Sequence, residues 1–220
     1  MSSCHNTNAS SSDDLMGLIV HSYNNYLAGI MGYLELALLE CENTEVEDRL
    51  KRSLGSGIEA VHFGKTILAS VGRLQVPLQS HSLASLLNAV NEKQVEFDLD
   101  LNMDIGSIKE SKIKTDPIWF KECLMDLIEF IVVASKEKKI GLNSTIDQQS
   151  QRVNIIIRGE GVQLSDEEIE FLFEPFYSSR KIIGKKDIGL AKAKGFLAQM
   201  NADLCWQNNK GFMLNIPIEL

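Results

Sequence analysis

From Asp13 to Leu74 the chain has no proline, and its apolar residues recur at helical spacing. One stripe runs Leu15, Ile19, Tyr23, Tyr26, Ile30, Tyr33 and Ala37, widened by Leu18, Leu27, Met31, Leu34 and Leu38. Ser12 with Asp13 and Asp14 places a cap and negative charge where a helix start favours both. Asn43-Thr44 interrupts the pattern. A second helix is predicted from about Glu45 to Leu74, with Leu50, Leu54, Ile58, Val61, Ile67, Leu68 and Val71 as its apolar positions. Two helices of this length are each about 45 Å long by the helical rise. A lone hairpin so long leaves much of its apolar face in water. The expectation is therefore a homodimer in which a second copy completes a four-helix bundle.

The remainder has a different texture. Residues 1–12 are small and polar and read as a disordered tail; 13–74 form the hairpin. Residues 75–80 (QVPLQS) carry a proline and no periodicity and read as a linker. Residues 81–220 read as an α+β domain. Its expected helices lie near 82–94, 116–138, 164–173 and 187–200. Its expected strands lie near 95–101, 112–115, 140–147, 152–158, 203–208 and 211–218. A formal charge of −8 excludes the basic face that non-specific nucleic-acid binding needs. No apolar run reaches the roughly 18 residues of a membrane span, and Met1 to Ser12 lacks a signal-peptide profile. Four cysteines without CxxC spacing point to reduced thiols and a cytoplasmic protein. No metal-ligand spacing or P-loop is present.

Chemistry concentrates on the first helix, opposite its apolar stripe. Asp14, Gly17, His21, Asn24/Asn25, Ala28, Gly32 and Glu35 follow one another in steps of three and four, so they share a face. That face is polar or very small throughout. A single imidazole stands on it, where another domain can approach. Gly17, Gly29 and Gly32 each cost about 1 kcal/mol against alanine in a helix, which points to close contact there.

The segment IVHSYNNYLAGIMGYLELAL, Ile19 to Leu38, resembles the phosphoacceptor helix of two-component sensor histidine kinases. Asp116 to Ser135 (DPIWFKECLMDLIEFIVVAS) is similar to the family's N-box helix. RGEGVQLSDEEIEFLFEPFYSSR looks like the G1 segment running into the F box, with Phe173-Glu174-Pro175-Phe176 as an intact FEPF. Ile188-Gly189-Leu190-Ala191 looks like the end of the G2 box. The resemblance covers nearly the whole chain, about the length of a kinase's transmitter core, and the expectation is that no sensor or membrane segment is attached. It implies a dimerisation and histidine phosphotransfer bundle followed by a Bergerat-type, histidine kinase ATPase-like α/β sandwich.

Against that pattern several positions depart. The family's magnesium-holding asparagine matches Phe130, whose ring offers no lone pair to a hard cation; Asp126, at the preceding N-box position, keeps an oxygen. The aspartate that accepts from adenine matches Gly159. Gly161 survives in G1, while Gln163 replaces its second glycine. The phosphate loop reads Lys185-Lys186-Asp187-Ile188-Gly189, with one glycine. After the histidine, where the family usually carries an acid, stands Ser22. The resemblance thus implies a degenerate nucleotide site at Asp126, Phe130, Gly159, Gly161 and Gly189. It implies a phosphotransferase that shuttles phosphoryl between receiver aspartates through His21 without ATP. No cofactor of its own is expected, because the receiver domain supplies Mg2+. Asn25, four residues past the histidine, matches the family position that orients water during dephosphorylation. Receiver docking is expected on Gly17, Asn24 and Ala28, and on the second helix from Gly57 to Phe63. The expected partners are response-regulator receivers and a hybrid histidine kinase. The alternatives are a non-catalytic pseudokinase that regulates such a partner, and a receiver phosphatase working through Asn25.

Overall fold

The computed structural model describes residues 10–92, 100–135, 139–175, 177 and 188–219. The chain divides into two compact units, 1–68 and 69–220.

The first unit is a helical hairpin. Helix α1 spans Ser10–Leu39 and α2 spans Thr44–Ser70. Ser12, expected as the cap, lies inside α1, which begins two residues earlier. The break between the helices is made by Asn43, whose Oδ1 accepts from the backbone N–H of Glu45 at 3.0 Å and of Val46 at 3.2 Å. It thus satisfies donors that the start of α2 leaves open. Two glycines of α2 let the helices come close. A Cβ on Gly64 would stand 2.7 Å from Asn24 Oδ1 and 3.3 Å from Val20 Cγ1, and one on Gly57 would stand 2.8 Å from Met31 Cγ. Val20 is buried, and Leu27, Met31, Leu34 and Leu38 are half-buried. Ile19, Tyr23, Tyr26, Ile30 and Tyr33, the stripe expected to be apolar, remain exposed. No helix among the described residues is long and apolar enough to cross a membrane.

The second unit is a two-layer sandwich. A five-stranded sheet has the order β2-β4-β5-β7-β6, built from Asp100–Asp104 (β2), Lys139–Asp147 (β4), Arg152–Gly159 (β5), Asp203–Gln207 (β6) and Gly211–Pro217 (β7). Strands β2 and β4 are parallel; the other neighbours are antiparallel. Alternation sends Ile140 and Leu142, Val153, Ile155 and Ile157, Phe212, Leu214 and Ile216 to one buried face. Helices α4 (Pro117–Ala134) and α6 (Gly189–Gln199) pack beside each other over that layer, with α3 (Leu83–Asn91) against α4. Asp116 caps α4, its Oδ1 accepting from the N–H groups of Ile118 and Trp119, both at 3.0 Å, with Pro117 at the first turn. Ser165 and Glu168 form a reciprocal capping box on α5 (Asp166–Phe171).

One small sheet was not foreseen. Gln79–Ser82 (β1) pairs antiparallel with Lys112–Thr115 (β3). The reading of 75–80 as linker and 82 as helix start hid this strand, because its partner lies thirty residues on and QSHS has no apolar alternation. Ser82 ends the strand and also caps α3, accepting from Ser85 N–H. The strand expected at 95–101 falls mostly outside the described residues, as do Phe176, Lys185 and Lys186.

Candidate functional site

On α1, His21 and Asn25 are both exposed. One helical turn apart, they meet: the Asn25 Nδ2 lies 3.3 Å from His21 Nδ1. Of the other residues expected on this face, Ala28 is exposed and Gly17 is half-buried. Asn24 turns the other way, toward Gly64 of α2, and its Oδ1 is buried without a hydrogen-bond partner among the described residues. Gly57 is half-buried against Met31, and Phe63 is exposed. Gly64, which no motif had singled out, is where α2 fits beside Asn24. Its one sequence signal is a glycine in a proline-free helix.

The second unit holds the other candidate cluster. Phe130 is fully buried, its ring centroid 5.5 Å from that of Phe212 and 6.1 Å from that of Trp206, both edge-on. Trp206 meets Phe212 at 5.0 Å, and Phe173 joins at 6.2 Å. Gly159 sits so close under α4 that a Cβ there would lie 2.5 Å from Ile131 Cγ2 and 3.1 Å from Ser135 Cβ. Gly161 adopts φ +74, which glycine holds without strain. The segment that follows is pinned by Asn208, whose amide accepts from Leu164 N–H at 3.1 Å and donates to Leu164 O at 2.8 Å. It lines a cavity of about 540 Å³ together with Lys139, Arg158 and Asn209.

Asp126 and Gly189 come together, a Cβ on Gly189 standing 2.9 Å from Asp126 Cγ. Between them and Glu122 lies Lys192, buried, with Nζ 2.9 Å from Asp126 Oδ2 and 3.2 Å from Glu122 Oε2. The ammonium also stands 5.8 Å from the Trp119 ring centre. Burial disfavours its charge, but the Asp126 carboxylate, and after it Glu122, outweigh burial and hold the pKa above the ordinary lysine value. Burial, and after it the Asp126 carboxylate, pushes the neighbouring Cys123 thiol well above its usual range, so it stays protonated and unreactive. Glu122 and Lys192 were missed because a lysine inside a helix reads as solvated.

No protein-family model matches the chain. The sensor histidine kinase CssS of Bacillus subtilis (strain 168) is 22% identical over 182 residues, covering 79% of this chain and 35% of that protein. The structure of full-length ShkA in complex with AMPPNP matches 93% of this chain and 46% of that one, with a TM-score of 0.64 and 16% identity. The chain shares its fold with these histidine kinases. Histidine kinase AdeS of Acinetobacter baumannii matches over 88% of this chain and 96% of that one, with a TM-score of 0.55 and 17% identity. The chain thus spans about a third of the length of CssS.

Within a histidine kinase-like sandwich, the second cluster is where the resemblance places the nucleotide and its magnesium. The residues present do not match the donor set such a cation needs. A hard divalent ion takes oxygen ligands. Phe130 contributes a ring packed against two aromatic neighbours, and the carboxylate of Asp126 is paired with an ammonium of the protein itself. At Gly159 any side chain, an aspartate included, would displace Ile131.

Proposed function

We propose that this chain is a two-component signalling protein acting as a histidine phosphotransferase, carrying phosphoryl between receiver-domain aspartates on His21 without drawing on ATP. The observation that carries this reading is the contrast between the two sites. An exposed imidazole with a partnered Nδ1 stands on α1, while Lys192 occupies the carboxylates of the ATPase-like domain. Receiver-to-histidine transfer asks little of this chain. One neutral ring nitrogen attacks the phosphorus of an aspartyl phosphate, an N–P bond forms, and the P–O bond to the receiver carboxylate breaks. The receiver supplies the divalent cation and the acidic pocket. The ATPase-like domain serves as docking surface, and the exposed stripe from Ile19 to Tyr33 pairs two hairpins into a bundle.

The test offers the purified chain two sources of label: γ-labelled ATP with Mg2+, and a phosphorylated receiver domain. The expected result is label from the receiver alone, lost in His21→Ala. Label acquired from ATP sinks the reading. Receiver dephosphorylation that survives His21→Ala and stops in Asn25→Ala identifies a phosphatase instead.

A further inference from the structure

Which nitrogen of His21 is free to attack depends on what Nδ1 does, and the side chain placed against Nδ1 is Asn25. Residue 22 follows the histidine directly and does not share its face, because neighbours in sequence diverge by about 100° around a helix. Residue 25, one turn on, does share it. An amide presents a donor at one end and an acceptor at the other, and a half-turn of the exposed Asn25 side chain exchanges them. With the nitrogen toward the ring, the orientation the structure shows, the N–H donates to Nδ1, that lone pair is engaged, and the proton of the neutral ring sits on Nε2. No nitrogen is then free as a nucleophile. With the oxygen toward the ring, Nδ1–H donates to Oδ1 and the Nε2 lone pair points outward.

We propose that Asn25 is the positioning residue that selects the nucleophile of His21, its Oδ1 accepting from Nδ1–H so that Nε2 is the nitrogen that takes and gives phosphoryl. The proposal rests on the phosphotransfer reading above and deepens it. In the transfer step Nε2 forms the bond to phosphorus and the receiver carboxylate leaves with the electrons of the P–O bond. The proton remains on Nδ1, and the positive charge that develops on the ring lies against the amide oxygen. No acid or base beside the histidine has to move a proton. Asn25 is assigned here to orientation of the ring, a role that does not involve a water molecule.

The test reads the ring directly. The 220-residue chain carrying nitrogen-15 imidazoles is examined by two-bond nitrogen–proton correlation at about pH 8, above the ordinary imidazole range, with His21→Ala to assign the signals. The expected wild-type His21 is protonated at Nδ1. Asn25→Ala moves the proton to Nε2, and Asn25→Asp, an acceptor only, keeps it on Nδ1. Transfer from a phosphorylated receiver slows about three- to tenfold in Asn25→Ala, the scale of one ordinary hydrogen bond, and recovers in Asn25→Asp. A wild-type ring protonated at Nε2, a tautomer indifferent to Asn25→Ala, or an Asn25→Asp as slow as Asn25→Ala overturns the proposal. If the wild type takes no phosphoryl at all, the phosphotransfer reading fails, while the ring signals still decide the role of Asn25.

Discussion

Lys192 shows how much one side chain governs. Its Nζ reaches two carboxylates from α4 and is the resident cation of a cluster that resembles a cation site. Removing one member of a buried ion pair typically costs about 3–5 kcal/mol, because the remaining charge is left uncompensated. Asp126 and Glu122 retain 20% and 28% exposure, so water screens part of that loss. Lys192→Ala is expected to destabilise the chain by about 2 kcal/mol in urea unfolding, and Lys192→Met with Asp126→Leu to recover most of it. An unchanged midpoint in Lys192→Ala shows the pair to be incidental. Little of this was legible beforehand, since the pairing joins residues seventy positions apart. The His21–Asn25 contact was legible, because a spacing of four on one helix is a local matter.

At the scale of elements, the close approach of backbones decides more than the apolar pattern does. The last turn of α2 belongs to the second unit, where it lies on α6. A Cβ on Gly195 would stand 2.1 Å from Ala69 O and 2.6 Å from Ser70 O. These are backbone atoms, which cannot swing aside as a side chain can. Gly195→Ala should therefore cost at least the about 1–3 kcal/mol of ordinary overpacking, read as a lowered thermal midpoint of the full chain. A midpoint equal to wild type places α6 farther from Ala69 and Ser70 than the structure has it. In the sequence this glycine looks like a mild weakening of a helix. Periodicity located α1, α2, α4, α6 and most strands near their observed bounds. It failed at β1, whose four residues are polar and half exposed and whose existence depends on β3.

For the whole molecule, Tyr26, Ile30 and Tyr33 are 75%, 57% and 78% exposed in a single chain, and the proposed pairing of two hairpins is the arrangement that would cover them. Sedimentation equilibrium is expected to return twice the 24.6 kDa of one chain, with Ile30→Glu shifting it toward the monomer. A wild-type monomer at high concentration removes the bundle from the reading.

Two long amphipathic helices, the α+β texture after them and the pairing of His21 with Asn25 follow from local spacing, which the chain carries wherever its parts end up. The aromatic packing around Phe130, the closure of α4 over Gly159 and the ammonium on Asp126 belong to contacts between distant segments. A phenylalanine, a glycine and a lysine read in isolation say little of their surroundings. The cluster they form emerges once α4 and α6 lie side by side over the sheet, because burial and charge pairing act on neighbours in space.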